Sequence, residues 1–444
     1  MVNKSNLKNQ NSDDDDYIEE NVVDSYKRKR SKSESDIYFF KIVQRSKNDN
    51  YFKEQSKDKQ IDILRKEDEI YNYYNRDIPL RYKIIYSSLH ISTKLLLIQK
   101  IDIFDKMSNY DCEYNKFSKW INGLSLIPFD NYVEMPITIK NNNTDIQKFL
   151  WDSFNILENT IYGQKKAKNK ILQILGQWIS NPKSNNQIIA LEGSPGVGKT
   201  CLIKNGVSKA LHRPFCFYAL GGANDISVLE GHSYTYEGAH WGKLIEMLMQ
   251  SKVMNPIIFF DELDKISNTV KGNEIIGLLT HLTDNTQNSL FNDKYFSEIS
   301  IDFSKSLFFF SFNDIELLNP VLKDRLTIVK FDSYNILDKI EIIKKFILPD
   351  VLNNIGLNNS DIIINDDIIK YLILKYTNNE DGVRNIKKII ETLLLKINLI
   401  KLLNNKDDVS NNLNHNLELI NYNIKTIFFP LNITTEIADI LLNE

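Results

Sequence analysis

An apolar run that leads into a glycine-rich loop restricts the fold of this chain more than any other feature. The run at 188–192 reads IIALE, and GSPGVGKT follows it directly at 193–200. These eight residues match the pattern G-x-x-x-x-G-K-[ST], in which glycines let backbone N–H groups turn inward around phosphates. The helix that follows such a loop adds the positive end of its dipole. The sequence therefore predicts a strand, a phosphate-binding loop and a helix.

Four more short apolar runs have the composition of buried strands. Near-continuous apolar strands joined by helical segments are typical of a parallel sheet that is covered on both faces. With the first run they predict an α/β fold built on a five-stranded parallel sheet with helices on both faces. The four runs lie at 215–222, 256–262, 306–314 and 326–331.

Composition and apolar spacing divide the 444 residues into five parts. Residues 1–50 form a charged tail that we expect to be disordered, and 51–138 show the spacing of apolar residues that predicts helices. The segment Glu113–Phe129 is the clearest amphipathic helix among them. The α/β domain takes residues 146–334, a second helical part takes 335–405, and an Asn-rich tail takes 406–444.

Charge and cysteine content limit the classes of function. The composition is 42% hydrophobic. The net charge is -3, so the chain has no global basic field that would attract nucleic acid or an anionic membrane. The three cysteines show no CxxC spacing and the N-terminus has no apolar signal core, so we expect a reducing, cytoplasmic location. The basic run Lys27–Lys32 has two interpretations, a nuclear-import signal and a solvated tail.

Polar side chains at the ends of the predicted strands supply candidates for chemistry. Lys199 would reach the β- and γ-phosphates, and Thr200 would bind Mg²⁺. Asp261 and Glu262 end the strand in PIIFFDELDK, where Asp261 suits a Mg²⁺ ligand through water and Glu262 suits a general base. Asn313 ends the next strand, where it either positions the attacking water or caps the strand as an Asx turn.

Two arginines extend this set. Arg325 in NPVLKDRL precedes the last strand, and Arg384 in DGVRNIKKI begins a helix of the second helical part. Each is either a surface arginine or a cation that stabilises charge on a transferring phosphoryl group.

The order of these motifs resembles that of the AAA+ ATPases. The residues within each motif resemble the ATPase module of Lon-type ATP-dependent proteases. The similarity extends from about residue 78 to residue 400 and includes GGANDISVLEGHSYTYEGAHWGKLIEML, NPIIFFDELDKI and GVRNIKKIIE. The resemblance implies that the second helical part is an AAA+ lid. It also implies that ENTIYGQKKAKNKIL wraps the nucleotide base, and that 51–138 matches the helical region before the module.

The resemblance also implies roles for individual residues. Asn313 becomes the first sensor, Arg384 the second sensor, and Arg325 a finger that acts on the nucleotide of a neighbouring subunit in a homo-hexamer. Glu262 remains the catalytic base, and Thr200 and Asp261 remain the Mg²⁺ ligands. The implied ATP-binding residues are Tyr162, Gly163, Gly193, Ser194, Pro195, Gly196, Val197, Gly198, Lys199, Thr200, Cys201 and Asp261.

The segment GHSYTYEGAHWGK, residues 231–243, is the least ordinary stretch of the chain. Its scattered glycines and polar residues give no strand alternation, and His232 with His240 lacks further metal ligands at local spacing. The resemblance places Tyr236 and Glu237 on a loop that projects into the central pore of a ring. An aromatic side chain there would grip an extended peptide, whereas Glu237, where the family has an aliphatic residue, and the bulky pair His240 and Trp241 would alter the grip.

Several activities are compatible with these motifs. We expect a ring motor that unfolds or remodels proteins and lacks the Ser–Lys peptidase of the Lon family, because no glycine follows Gly382 and Ser410 is the one serine after Lys401. An ATPase subunit completed by a separate peptidase is one alternative. The others are a nucleic-acid-handling AAA+ ATPase, which the charge disfavours, and a scaffold that binds ATP without turnover.

Overall fold

The structure is a computed structural model that describes residues 50–73, 78–108, 110–182, 188–223, 225–378, 380–403 and 429–442. The predictions for residues 1–49, which include the basic run Lys27–Lys32, and for 404–428 lie outside the described residues. The chain divides into two compact units between Lys83 and Ile84.

The described part of the first unit is helical. Helix α1 covers Asn50–Lys53 and α2 covers Lys57–Tyr73. The side-chain amide of Gln60 donates to the carbonyl of Phe52 at 2.8 Å, and the Phe52 side chain is buried. This bond joins the two helices across their short connection.

The second unit begins with helices that lead to the sheet domain. Helix α3, Leu80–Tyr86, contains the boundary between the units, and α4, Ile91–Phe104, and α5, Tyr114–Leu126, follow. Helix α5 buries Trp120 and Leu124, which lie four residues apart and therefore share one face. The amphipathic helix predicted over Glu113–Phe129 is thus present, and it ends two residues before Pro128.

The second unit is built on a five-stranded sheet, as the sequence predicts. Every neighbouring pair of strands is parallel, and the spatial order is β2-β3-β6-β1-β7. The five strands are β1 Ile189–Glu192, β2 Phe215–Ala219, β3 Ile257–Asp261, β6 Leu307–Phe312 and β7 Thr327–Lys330. A small antiparallel pair, β4 Phe291–Asn292 and β5 Ser300–Ile301, lies between β3 and β6 in the chain.

Helices flank this sheet, and their apolar side chains meet those of the strands. Leu157, Ile171 and Leu202 pack in one cluster with Phe259 of β3 and Phe309 of β6. Burial of these apolar surfaces is the main favourable contribution to folding. The helices are α6 Asn143–Thr160, α7 Lys165–Ser180, α8, α9 Ser227–Glu230, α10 Lys243–Ser251, α11 Val270–Thr283 and α12 Pro320–Lys323. Helix α8 joins Lys199–Cys201, a π-helical turn at Leu202–Val207, and Ser208–Leu211.

The C-terminal part of the unit is helical and has its own apolar core. Helix α13 runs through Ile336–Ile342, a π-helical turn at Ile343–Ile347 and Leu348–Ile355. Helices α14, Asp366–Tyr376, and α15, Arg384–Leu403, complete the bundle. Its core includes Ile343, Leu372, Ile386, Leu393 and Ile397.

The end of the chain differs from the predicted Asn-rich tail. Strand β9, Leu431–Asn432, pairs with β8, Ile362–Ile363, and helix α16 covers Thr435–Leu442. The reason is the spacing of apolar residues in LNITTEIADILL, which buries Ile433, Ala438 and Leu441 in the helical core. An ion pair between Lys375 and Asp439 at 2.7 Å ties α16 to α14.

Candidate functional site

The carboxyl ends of three neighbouring strands bring the candidate residues together. Because β1, β3 and β6 are parallel, the loop after Glu192, the pair Asp261–Glu262 and Asn313 all emerge at the same edge of the sheet. Open α/β sheets bind ligands at this edge. The structure thus assembles at one place the side chains that the sequence analysis proposed separately.

Lys199 lies at the centre of this edge. Its side-chain nitrogen donates to the Asn313 amide oxygen at 2.8 Å and to the carbonyl of Gly193. Burial lowers the pKa of Lys199, and the positive charge of Arg384 lowers it further, whereas Asp261 and Asp264 oppose the shift. The Lys199 ammonium is therefore held among oxygen acceptors, in a position where phosphate oxygens would be favourable partners.

Asp261 and Glu262 differ in how their carboxylates are held. The Asp261 carboxylate accepts from the Ser311 hydroxyl of the neighbouring strand and from the Glu262 N–H at 3.1 Å. Glu262 has a left-handed backbone, with φ 59° and ψ 46°, which is uncommon for a residue with a side chain. Gly221 lies beside this side chain, since a Cβ there would come 1.9 Å from the Glu262 Oε2 atom.

Asp264 is a residue of the site that the sequence analysis missed. Its side chain is 8% exposed, and its Oδ2 atom accepts from the N–H groups of Asn313 at 3.1 Å and Asp314 at 3.3 Å. Its Oδ1 atom has no hydrogen-bond partner among the residues that the structure describes. Asp264 thus fixes the backbone that carries Asn313. Asp264 lies in the DELDK motif, but its partners are 49 and 50 residues away, so the motif did not reveal them.

The lid contacts the phosphate loop through a main-chain hydrogen bond and a side-chain hydrogen bond. The N–H of Val383 donates to the carbonyl of Gly196 at 3.2 Å, and the Ser194 hydroxyl donates to Asp381 at 2.7 Å. A Cβ at Gly382 would lie 2.2 Å from the carbonyl oxygen of Pro195, so this approach requires a glycine. Arg384 begins α15 directly after these contacts. The lid is therefore packed directly against the phosphate loop at residues 194–196.

The segment proposed to wrap the base lies where the sheet domain meets the lid. The Tyr334 hydroxyl donates to the carbonyls of Tyr162 at 3.2 Å and Val197 at 3.0 Å. Gly163 has a φ of 64°, and Tyr162 packs against the core of the lid. Cys201 is half-buried, with its sulfur 3.8 Å from the Thr160 carbonyl. Tyr162 and Gly163 thus lie at the junction of the sheet domain and the lid.

Arg325 is the candidate that the structure keeps apart from the others. Thr327 of β7 pairs with Ile189 at the start of β1, so Arg325 lies near the amino edge of the sheet. The phosphate loop begins at the opposite edge, roughly 13 Å away along the four-residue strand. Arg325 forms an ion pair with Asp284 at 2.8 Å. The Thr286 hydroxyl and Arg325 hold the pKa of Asp284 well below its ordinary value.

The segment Gly231–Lys243 forms an irregular loop. Its tip, Thr235–Gly238, is exposed, and the Tyr236 side chain is 68% exposed. The N–H of His232 donates to the carbonyl of His240 at 3.0 Å and closes the loop at its base. No cluster of three or more metal-ligating side chains includes these histidines in the described parts of the chain.

The base of this loop is held by a buried carboxylate and by aromatic rings. Asp293 is fully buried and accepts from the N–H groups of Gly242 at 2.8 Å and Tyr295 at 2.8 Å. Burial raises the pKa of Asp293 to about 6. Trp241 packs against the rings of Tyr295 and Phe296, so it anchors the base of the loop.

Comparisons with known proteins agree with this geometry. Residues 189–333 match the family described as ATPase family associated with various cellular activities (AAA). A Lon protease homolog of Acanthamoeba polyphaga mimivirus is 33% identical over 333 residues, which are 68% of this chain and 32% of that protein. The chain contains a Lon-like AAA+ module. The Lon protease of Campylobacter jejuni is 32% identical over 321 residues, 70% of this chain and 38% of that protein.

A shorter match to a Lon protein has a higher identity. The Lon protease of Lawsonia intracellularis is 40% identical over 202 residues, 46% of this chain and 24% of that protein. The chain thus spans about a third of the length of the first of these curated relatives and 38% of the next. Among the described residues, no helix is long and apolar enough to cross a membrane.

Proposed function

We propose that this chain binds ATP with Mg²⁺, hydrolyses it, and in a ring of identical copies uses the cycle to pull on polypeptide substrates. The observation that supports this most directly is the pairing of a Lon-like ATPase edge with an exposed tyrosine loop. The ATPase class follows from the AAA module. The polypeptide substrate, the ring and the residue roles are the proposal.

The proposed nucleotide site combines the phosphate loop with residues 162 and 163, which lie where the sheet domain meets the lid. The N–H groups of Gly196, Val197 and Gly198 and the ammonium of Lys199 would hold the phosphates, and Tyr162 and Gly163 would contact the base. Thr200 and Asp261 offer oxygen ligands of the kind that Mg²⁺ prefers, and the Ser311 hydroxyl orients the Asp261 carboxylate. When bound, Mg²⁺ would neutralise charge on the phosphate oxygens.

The proposed hydrolytic step uses Glu262 as the base. Its carboxylate would take a proton from the attacking water, and the Asn313 amide, fixed through Asp264, would orient the same water. Arg384 follows the lid residues that touch the phosphate loop, so it suits a sensor of the nucleotide. Each role agrees with the one that the resemblance implies.

The ring is proposed from the position of Arg325. Because Arg325 lies near the sheet edge opposite its own phosphate loop, it is badly placed to act on its own nucleotide. A neighbouring copy that presents its phosphate loop to Arg325 would use it as a trans-acting finger. Release of Arg325 from Asp284 would then accompany assembly, and the proposed assembly is a homo-hexamer.

The substrate class is proposed from Tyr236. An exposed aromatic ring on a narrow loop can contact successive residues of an extended chain by apolar packing, with little dependence on sequence. The relatives are named as proteases, and we propose that polypeptide is the material this motor moves. A reducing intracellular location is part of the proposal, because the three cysteines are free. The comparisons do not favour the nuclear alternative.

Peptide-bond cleavage is not proposed for these 444 residues. No glycine follows Gly382, and Ser410 is the one serine after Lys401, so the sequence offers no nucleophile with a glycine-rich oxyanion loop. A separate peptidase that receives the unfolded chain is the second candidate. A nucleic-acid substrate is disfavoured by the net charge of -3, and tight, steeply salt-dependent filter binding would favour it instead.

Tyr236→Ala is expected to keep ATP hydrolysis within about twofold of wild type and to lose its stimulation by casein, since the side chain contacts substrate and not nucleotide. ATPase rates with and without casein measure this. Tyr110→Ala is the matched control, because Tyr110 is 97% exposed and lies far from this loop in sequence. Full casein stimulation in Tyr236→Ala would remove the substrate-grip assignment.

The same reactions report on peptide-bond cleavage. We expect no acid-soluble peptides from casein with ATP and the purified chain alone. Peptide release that Ser410→Ala abolishes would contradict the proposal.

A further inference from the structure

The tip of the Tyr236 loop is bracketed by two lysines of helix α5. Lys116 donates to the carbonyl of Thr235 and Lys119 donates to the carbonyl of Ala239, each at 2.8 Å. The first carbonyl belongs to the first residue of the tip Thr235–Gly238, and the second follows its last residue. Lys116 and Lys119 are three residues apart on one helix, so they project from the same face. One helix therefore holds both ends of the exposed tip.

Aromatic contacts place α5 firmly against the base of the same loop. A Cβ at Gly123 would lie 2.8 Å from the Trp241 ring, and the Trp120 and Phe296 rings are 5.6 Å apart. The ammonium of Lys116 also lies 5.0 Å from the centre of the Tyr234 ring. Trp120 is 2% exposed. The packing of Trp120 and Gly123 fixes the helix, and the two lysine contacts then reach outward to the tip.

The two lysine contacts are directional hydrogen bonds, so they orient the loop and bury little surface. Each is a hydrogen bond from an ammonium to a neutral carbonyl, which is stronger than a bond between two neutral groups. The partners lie 119 and 120 residues apart in sequence. The backbone hydrogen bonds at residues 232–240 lie within the loop: His232 to His240 closes its base, and the N–H groups of Tyr236 and Ala239 donate to the carbonyls of Ser233 at 3.1 Å and Tyr236 at 3.3 Å. The two lysines thus tie the tip to α5, which the bonds within the loop do not.

We propose that Lys116 and Lys119 are positioning residues that hold the Tyr236 loop on α5 in the orientation that grips polypeptide. This inference rests on the proposed function of Tyr236. It makes the helical region before the sheet domain a part of the substrate-handling machinery, since any displacement of α5 moves both ends of the tip. The two lysines act through the loop backbone and do not contact the nucleotide site.

The test replaces both lysines with methionine, which keeps an unbranched apolar stem and removes the donor. Hydrogen exchange of the amides at 232–240 is expected to become about tenfold faster, because a charged hydrogen bond is lost on each side of the tip. The casein concentration for half-maximal ATPase stimulation is expected to rise about fivefold or more. Replacement of both lysines by arginine, which retains a donor, is expected to restore most of both values.

Lys106→Met is the matched control, since the Lys106 ammonium has no partner among the described residues, and it should leave both values unchanged. Unchanged hydrogen-exchange rates of the amides at 232–240 in the double methionine variant would overturn the inference, regardless of how casein affects the ATPase rate. Faster exchange with an unchanged casein response would overturn it too, provided that Tyr236→Ala has lost that response. Full casein stimulation in Tyr236→Ala would instead contradict the proposed function, and that outcome is distinguishable from the other two.

Discussion

Glu262→Gln is expected to bind ATP as tightly as wild type and to hydrolyse it at least about a hundredfold more slowly. A general base typically contributes about 10²- to 10⁴-fold to a rate, and an amide of the same shape cannot accept the proton. Glutamine has the shape of glutamate, so the substitution keeps the left-handed backbone at this position. Because the substitution removes only the ability to accept a proton, we expect the rate of ATP hydrolysis to fall and the affinity for ATP to stay the same.

Steady-state ATPase assays and a nucleotide-binding titration separate these two effects. Glu274→Gln is the matched control, because Glu274 is an exposed glutamate on α11, outside the site. Equal ATPase rates for wild type and Glu262→Gln would exclude Glu262 as the base. With ATP bound and not turned over, the variant should also retain substrates and partner subunits during affinity purification.

Lys199→Ala is expected to weaken ATP binding by about a hundredfold or more. The ammonium is buried, and its present partners, the Asn313 amide and the Gly193 carbonyl, surround the place where the phosphates would lie. A charge-assisted bond to phosphate in such a site is worth about 1.5–3 kcal/mol, and this corresponds to roughly ten- to a hundredfold for each bond lost. We expect the ammonium to contact two phosphate groups, so both bonds are lost and the affinity for ATP falls by the larger factor.

A direct titration with a fluorescent ATP analogue measures this loss. Lys204→Ala is a suitable control, because Lys204 lies one turn further along the same helix and is exposed. An unchanged affinity in Lys199→Ala would mean that the loop does not hold phosphate. In that case the roles of Thr200 and Asp261 would have no support either.

The sheet and the cluster of candidate residues at its edge were predictable because their signals are local. Apolar runs next to GSPGVGKT and DELDK define buried strands, and parallel strands end at one edge, so Lys199, Asp261 and Asn313 had to meet. The burial of Ile433 and Leu441 in the lid was missed, since the Asn-rich composition around them suggested a tail.

The features that escaped prediction all depend on partners far apart in the chain. Asp264 reaches the backbone of Asn313 across 49 residues, and Ser311 reads in sequence as a single polar interruption of an apolar strand. Asp284 meets Arg325 across 41 residues. Lys119 reaches Ala239 across 120 residues. No periodicity or motif encodes such pairs, because only the assembled fold brings them within hydrogen-bond distance.

The central claim, that ATP hydrolysis by this chain pulls on polypeptide, is tested most directly by the unfolding of a fluorescent protein that carries an unstructured tail. With the chain in excess and a trap that prevents refolding, wild type and ATP should abolish the fluorescence, whereas Glu262→Gln should leave it intact. Retained fluorescence under conditions in which wild type hydrolyses ATP and binds the tail would contradict the claim.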